Sequence, residues 1–397
     1  MKTICDIPAG FLFSGISSGI KKSGKLDLGL IRSTVPATCA GVFTQNLVVA
    51  APVVVTRERI ASGTCQAILI NSGNANACTG SDGMGAALRT GDTLARQLGV
   101  PDEDVAIAST GVIGEPFPTE TLLAGIPQLV EELKADAAPH TAEAMMTTDC
   151  FSKLASAQGM VGQSSYRILG LAKGAGMIHP NMATMLGFVV TDVAFSPERL
   201  DRALRRAVDK SFNAITVDGD TSTNDMVLLL ANGASEIDIA ADSAEEEAFC
   251  EHLERVLIDL AKMIVRDGEG ATKLVEVRVT GAQDDASAKR VARSVATSSL
   301  VKTAFFGEDA NWGRIIAAVG YSGVAVDPGQ IDIFFDDVSV VRDGLSTGKE
   351  LEAQATDVLK QEEFRVTIDL RKSTGVASYY TSDLTYDYVR INADYRS

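Results

Sequence analysis

The chain has little histidine. His140, His179 and His252 are the three in 397 residues. No two are spaced as a metal-binding pair, and neither an H-E-x-x-H run nor a Cys/His finger spacing occurs, so no metal site is expected. The six cysteines (Cys5, Cys39, Cys65, Cys78, Cys150 and Cys250) contain no C-x-x-C pair. In a chain of this length they read as small buried hydrophobes or incidental thiols, not as a disulfide framework. No apolar run reaches the 18 residues a membrane-spanning helix needs. Met1 to Gly19 lacks the continuous apolar core of a signal peptide, being interrupted by Asp6, Pro8 and repeated Gly and Ser, so a cytoplasmic protein is expected. Positive charge is also short: 36 Lys and Arg against 52 Asp and Glu leave a net charge of −16. Binding to nucleic acid or an anionic membrane needs the opposite balance, and the one basic cluster, Lys21-Lys22-Ser23-Gly24-Lys25, is too short to reverse it.

What the chain does have is a hydrophobic content of 46%, enough for a large core divided over two domains. Short apolar runs at Ala51–Thr56, Gln66–Ile70 and Val105–Ser109, separated by glycine breaks, predict buried strands. Met84–Leu98 predicts a helix stopped by Gly99. Thr119–Ala135 repeats its apolar residues at helical spacing. Ser196-Pro197-Glu198 is a helix start, and Ser243-Ala244-Glu245-Glu246 a capping box. Lys273–Thr280 predicts a strand, followed by a polar break over Gly281–Ser287. This alternation favours an α/β class over all-α or all-β. The fold expected is a layered α-β-β-α sandwich over residues 1–275 with a smaller C-terminal α/β domain over 276–397.

Several segments carry candidate chemistry. Gly19 to Leu26 nearly matches the P-loop G-x-x-x-x-G-K-[ST], but Leu26 has no hydroxyl for a magnesium ion, and a solvated basic turn is the better reading. Gly174-Ala175-Gly176 and Gly268-Glu269-Gly270 begin like dinucleotide loops but lack the third glycine. The asparagine loop Asn71 to Gly80 is either a turn held by its own side chains or a polar wall beside a site. Ser109-Thr110-Gly111 ends a predicted strand with a hydroxyl and an N–H beside glycine, parts suited to an oxyanion hole or to an ordinary glycine turn. A glycine-rich turn carrying Lys173, His179 and Pro180 delivers Thr184 to the apolar strand Met185–Val190. A threonine there is ordinarily a β-former. Freed as an N-terminus, it would carry its own base, an α-amine of pKa roughly 7.7–8.0.

Leu171 to Phe188 resembles the self-cleavage site of the ornithine acetyltransferase family of arginine biosynthesis. The resemblance extends along nearly the whole chain, through Ser18–Gly24, Val42–Asn46, the asparagine loop, Ser109–Gly114 and Met146–Asp149. It continues with Val217–Asp225, Asp267–Lys273, Phe306–Arg314 and the tail Ile391–Ser397. It implies a precursor that cuts itself between Ala183 and Thr184, giving chains 1–183 and 184–397 that stay together as a heterotetramer of two copies of each. Thr184 would be the nucleophile, with Thr110 and Gly111 as the oxyanion hole. Thr147, Lys173, Glu269, Asn392 and Ser397 would contact substrate, the C-terminal tail returning to the site. Lys173 suits an α-carboxylate and Glu269 a side-chain ammonium. Cys150 stands where Thr is common in the family and is not expected to act as a nucleophile.

The leading reading is a ping-pong transfer of acetyl from N-acetylornithine to glutamate, with no cofactor, and with acetyl-CoA left open as a second donor. A self-cleaving amidase or aminopeptidase and a catalytically unused amino-acid-binding protein are the alternatives.

Overall fold

A computed structural model describes residues 7–179 and 185–394. In chain order the strands are β1 (Phe11–Ile16), β2 (Leu28–Phe43), β3 (Thr64–Asn74), β4 (Val105–Val112), β5 (Lys153–Val161), β6 (Ser164–Lys173), β7 (Leu186–Thr191) and β8 (Ile215–Thr216). There follow β9 (Met226–Ala231), β10 (Leu274–Ala282), β11 (Asp332–Phe335), β12 (Val338–Arg342), β13 (Leu345–Ser346), β14 (Glu363–Asp369) and β15 (Gly375–Ser382). The helices are α1 (Ala51–Arg59), α2 (Gly80–Leu98), α3 (Thr119–Glu131), α4 (Ala138–Met145), α5 (Pro197–Lys210) and α6 (Ala244–Arg266). The remaining five are α7 (Asp285–Ala296), α8 (Ser299–Phe306), α9 (Trp312–Gly320), α10 (Lys349–Leu359) and α11 (Tyr386–Asp394).

Among the described residues the strands form two sheets. The first runs β4-β3-β2-β9-β7-β6-β5, with β1 also paired to β2. The second runs β13-β12-β11-β14-β10-β15-β8. The inner strands of the first sheet are apolar on both faces: every residue of β7 and of β9 is buried. Strands like these need helices on each side. One face packs Val189, Val227 and Leu229 against Leu204 and Val208 of α5 and Leu253, Leu257 and Leu260 of α6. The other packs Phe188, Val190 and Leu228 against Val53 of α1 and Ala142 and Met145 of α4. The second sheet has its own core, in which Val277, Val279, Val366 and Ile368 meet α7, α8 and α9. The result is a layered α/β sandwich.

The capping residues act as their sequence positions predict. Ser196 Oγ accepts from Arg199 N, and Ser243 Oγ accepts from Glu246 N at 3.1 Å. Glu246 does not return to Ser243, however; its second oxygen accepts from Asp242 N at 2.6 Å and its first from Arg199 Nε at 2.9 Å. Gly99 closes α2 at φ 69°. One expected strand is wrong. Ala51–Thr56 is the start of α1, with Pro52 in its first turn. A short apolar run cannot be told from a buried helix by periodicity, and Pro52, which fits a first helical turn, was the signal that outweighs three valines. No helix among the described residues is long and apolar enough to cross a membrane.

Candidate active site

Strand ends and turns from both sheets converge on a cavity of about 190 Å³ lined by Thr110, Gly111, Thr147, Lys173, Glu269 and Asn392, among others. Thr110 and Gly111 stand at the end of β4, where β4 runs parallel to β3 and Gly111 faces Gly73. Gly111 adopts φ 131°, and a Cβ there would lie 2.3 Å from the Gly73 carbonyl carbon. Only glycine fits, and the two backbones close together beside the cavity.

Lys173 ends β6 and is buried. Its ammonium donates to Thr110 Oγ1 at 3.3 Å and lies 4.0 Å from Asp149 Oδ2. Burial pulls its pKa down, against the opposing pull of Asp149. Beneath it is a buried trio: Lys153 Nζ is 2.7 Å from Asp149 and 2.5 Å from Asp267. Asp149 also accepts from Thr147 N at 2.9 Å and Gly174 N at 2.7 Å, so one carboxylate fixes two walls of the cavity. Burial pushes the Asp149 carboxyl up, but Lys173, Lys153 and the Thr147 N–H outweigh it and hold the group well below the usual carboxylate range.

Acidic residues also line the cavity, among them Asp218, Asp220 and Glu269. Glu269 lies in the turn after α6, and its backbone N–H donates to Ala175 O at 3.0 Å. A Cβ on Gly176 would fall 2.5 Å from the Glu269 carboxyl, so the two G-x-G segments are apposed turns, and one makes room for the carboxylate of the other. Asn392 of α11 donates to Glu269 Oε2 at 2.9 Å. Asp218 accepts from Met177 N at 2.6 Å and Ile178 N at 2.8 Å, which shapes the turn that ends at His179. The second sheet holds the Glu269 turn in place. Asp383 accepts from Thr272 N at 2.8 Å, Thr272 Oγ1 at 2.6 Å and Lys273 N at 3.1 Å. Thr385 Oγ1 donates to Gly270 O at 2.7 Å. A cavity lined by both the Lys173 ammonium and the Glu269 carboxylate suits a small zwitterionic ligand.

Comparison with known proteins decides what this geometry belongs to. The model of the ArgJ family matches residues 12–397. The chain belongs to the ArgJ family. It is 66% identical over 390 residues to the arginine biosynthesis bifunctional protein ArgJ of Syntrophotalea carbinolica, covering 98% of this chain and 99% of that one. It is 56% identical over 389 residues to the protein of the same name from Geobacter sulfurreducens, covering 98% and 99%. Among solved structures, ArgJ from Bacillus halodurans matches with 46% identity and TM-score 0.51, covering 52% of this chain and 98% of that chain. An ornithine acetyltransferase from Mycobacterium tuberculosis in complex with ornithine shares 37% identity, covering 44% of this chain and 92% of that chain, with TM-score 0.39.

Of the site residues expected from the resemblance, Thr110, Gly111, Thr147, Lys173, Glu269 and Asn392 line the one cavity. Ala183, Thr184 and Ser397 lie outside the described residues. The strand that follows Thr184 begins nearby: Met185 N donates to Asp225 Oδ1 at 3.0 Å. The near-P-loop cradles no external phosphate. The N–H groups of Ser18, Gly19 and Lys21 all donate to Asp27, at 2.6, 3.1 and 2.8 Å, so an internal carboxylate already fills the nest. Lys21 is also not fully solvated as expected; its ammonium donates to Leu26 O and Met146 O, both at 2.7 Å. Cys150 Sγ is pushed up by burial and by Asp267, which suits an inert thiol. In the asparagine loop the side chains mostly hold the turn itself. Asn71 donates to Asn74 O at 2.9 Å and Asn76 to Gly83 O at 2.9 Å, while Ala75 faces the cavity.

Lys153, Asp149, Asp218 and Asp225 escaped assignment from the sequence. Asp149, Asp218 and Asp225 sit in segments that carry the family resemblance, which was the available signal. Lys153 had none, because a lysine near the start of a strand reads as an exposed charge.

Proposed function

We propose that this member of the ArgJ family moves an acetyl group from N-acetylornithine to glutamate through an acetyl ester on Thr184, in arginine biosynthesis. The observation that carries the reading is a small cavity lined together by Thr110, Gly111, Lys173 and Glu269, with the Lys173 ammonium donating to Thr110 Oγ1 at 3.3 Å. Thr184 Oγ first attacks the Ala183 carbonyl; the peptide C–N bond breaks as the C–O bond forms, and water hydrolyses the ester. This frees the Thr184 α-amine and yields chains 1–183 and 184–397. In turnover the amine takes the Oγ proton, Oγ attacks the acetyl carbonyl, and Thr110 and the Gly111 N–H receive the oxyanion. Ornithine leaves with the proton on its nitrogen. Glutamate then attacks the ester and removes the acetyl group.

Lys173 receives the α-carboxylate, and Glu269 with Asn392 receives the side-chain ammonium of ornithine; Thr147 and Ser397 complete the contacts. The bifunctional name of the relatives supports a second donor, acetyl-CoA, feeding the same ester. Two copies of each cleaved chain form the assembly in this reading. Residues 276–397 form the smaller domain, although β8 joins its sheet from the first part of the chain.

Intact mass before and after N-acetylornithine tests the reading. Wild type should give two chains, with one acetyl on the chain that begins at Thr184, and Thr184→Ala one unmodified chain of full length. Cleavage of Thr184→Ala at the normal position assigns the cut to an outside protease. Free acetate in excess of acetylglutamate makes the protein a hydrolase.

A further inference from the structure

The cavity described above is charged for one substrate and not for the other. Among the described residues that line it, Lys173 is the one cation, against the carboxylates of Asp218, Asp220 and Glu269. Ornithine, with one carboxylate and a side-chain ammonium, fits that balance. Glutamate carries two carboxylates, and the second would meet like charge in a small space, where repulsion is poorly screened.

A second cavity, of about 550 Å³, adjoins the first: Thr147 lines both, and Gly73 on the second pairs in the β3–β4 ladder with Gly111 on the first. The cations on this second cavity are Lys21 and Lys25, from the basic run Lys21–Lys25. Lys25 is exposed, whereas Lys21 is half-buried. The Lys21 stem passes over Gly73, where an added Cβ would come within 3.3 Å of Lys21 Cγ. Its ammonium donates at 2.7 Å to Met146 O, one residue before Thr147, and at 2.7 Å to Leu26 O. An ammonium has three N–H groups, so among the described residues one is left to donate. Burial lowers the Lys21 pKa to about 8, against the pull of Asp27 and Asp149, which leaves the group charged at pH 7. Of the carboxylates on the same cavity, Asp149 is already paired with Lys153, and Glu143 is exposed.

We propose that this second cavity takes the side chain of the acceptor glutamate, with Lys21 as the residue that receives its carboxylate and so sets acceptor specificity. The inference rests on glutamate being the acceptor. With the α-carboxylate on Lys173, the glutamate side chain passes Thr147 and ends at the spare N–H of Lys21. The side chain of ornithine ends instead at Glu269 and Asn392. The two amino acids then share one place for the α-carboxylate and part by charge at the side chain.

The test measures acetyl transfer from N-acetylornithine to glutamate, glutamine and isotope-labelled ornithine, in wild type, Lys21→Met, Lys21→Arg and Lys22→Met. Glutamine has the shape of glutamate without its charge. A hydrogen bond between charged partners is worth about 10- to 100-fold in binding. Lys21→Met should therefore raise KM for glutamate by about that factor and remove most of the preference for glutamate over glutamine. Transfer to labelled ornithine should change less than about threefold. Lys21→Arg keeps the charge and should keep most of the preference. Lys22 is exposed and does not line the cavity, so Lys22→Met should keep all of it. If Lys21→Met does not fold, Lys21→Gln, which can still donate to the two carbonyls, takes its place. Equal losses for the three acceptors would make Lys21 a structural prop and overturn the proposal, as would an unchanged preference in Lys21→Met. A wild type that exchanges labelled ornithine yet makes no acetylglutamate removes glutamate as acceptor, and this inference with it.

Discussion

Replacing Lys153 by Met tests the deepest claim about the site, that its walls hang on a buried ion trio. Met retains most of the volume of the lysine stem, so the change removes the ammonium and little packing. Lys153 and Asp149 are fully buried, and Asp267 nearly so, with the ammonium 2.7 and 2.5 Å from the two carboxylates. Breaking a buried ion pair costs about 3–5 kcal/mol, because the surviving charge is left uncompensated. Here two carboxylates survive. Asp149 keeps the N–H groups of Thr147 and Gly174, and Asp267 keeps that of Cys150 at 3.0 Å. Those donors cap the loss, so about 3–5 kcal/mol is expected for the variant as a whole, read from urea unfolding at pH 7. The sign with pH follows from Asp149, whose folded pKa is depressed. Its stabilisation is present above the unfolded value near 3.9 and is lost as pH falls through the folded value. Without Lys153 that depression shrinks, so Asp149 takes up a proton at higher pH than in the wild type. The stability gap between variant and wild type should therefore hold from pH 7 to pH 5 and narrow below about pH 4. A gap below about 1 kcal/mol at pH 7, or one that widens on acidification, refutes the reasoning.

Thr110→Ala should lower kcat by about 10²- to 10³-fold, the scale for one oxyanion donor, and a rise in KM alone would make Thr110 an ordinary substrate contact. Gly176→Ala puts a Cβ 2.5 Å from the Glu269 carboxyl, so KM for N-acetylornithine should rise more than KM for glutamate; equal changes would remove Glu269 from the ornithine side. Lys302 is buried against Thr381 and Ser382, and burial lowers its pKa to about 7. The unfolded chain holds that proton up to about pH 10.4, so between pH 7 and 10 folding should gain up to about 1.4 kcal/mol per pH unit from this group. Lys302→Met should lack that slope in denaturant titrations at stepped pH, and an unchanged slope would place the ionisation elsewhere.

Much of this architecture was legible because local signals and burial agreed. Ser196, Ser243 and Gly99 mark helix ends by chemistry that acts within a few residues, and the structure uses each of them. Val105–Ser109 and Gln66–Ile70 are strands whose residues are all buried, as fits the parallel pairing of β3 with β4. Ala51–Thr56 was misread because β-branched residues there are packed by tertiary contacts that override their preference, while Pro52 alone spoke for a helix. In the site, Thr110, Lys173 and Glu269 were reached through resemblance, since no spacing links positions so far apart in sequence. The apposition of Gly176 and Glu269 is invisible until two turns meet. Asp27 shows the converse: a motif that reads as a phosphate loop is satisfied by the chain itself, through the carboxylate one residue beyond its end.

The order of the first sheet has a consequence for how the molecule can be made. Strands β9 and β7, from beyond residue 184, lie between β2 on one side and β6 on the other, both from before it. A cut at 183–184 thus leaves two polypeptides interleaved strand by strand in the first sheet, neither owning all of it. The first would lack its centre, and the second would expose two strands that are apolar on both faces. Separate synthesis of the two pieces should yield insoluble material, because only the joined precursor brings the strands together in the right order. Once cut, the protein is in thermodynamic terms an obligate pair: its melting becomes dependent on concentration although no contact has changed. Refolding after denaturation then requires two chains to find each other where one sufficed before. Assembly would therefore run in one direction, with the uncut chain serving as its own template.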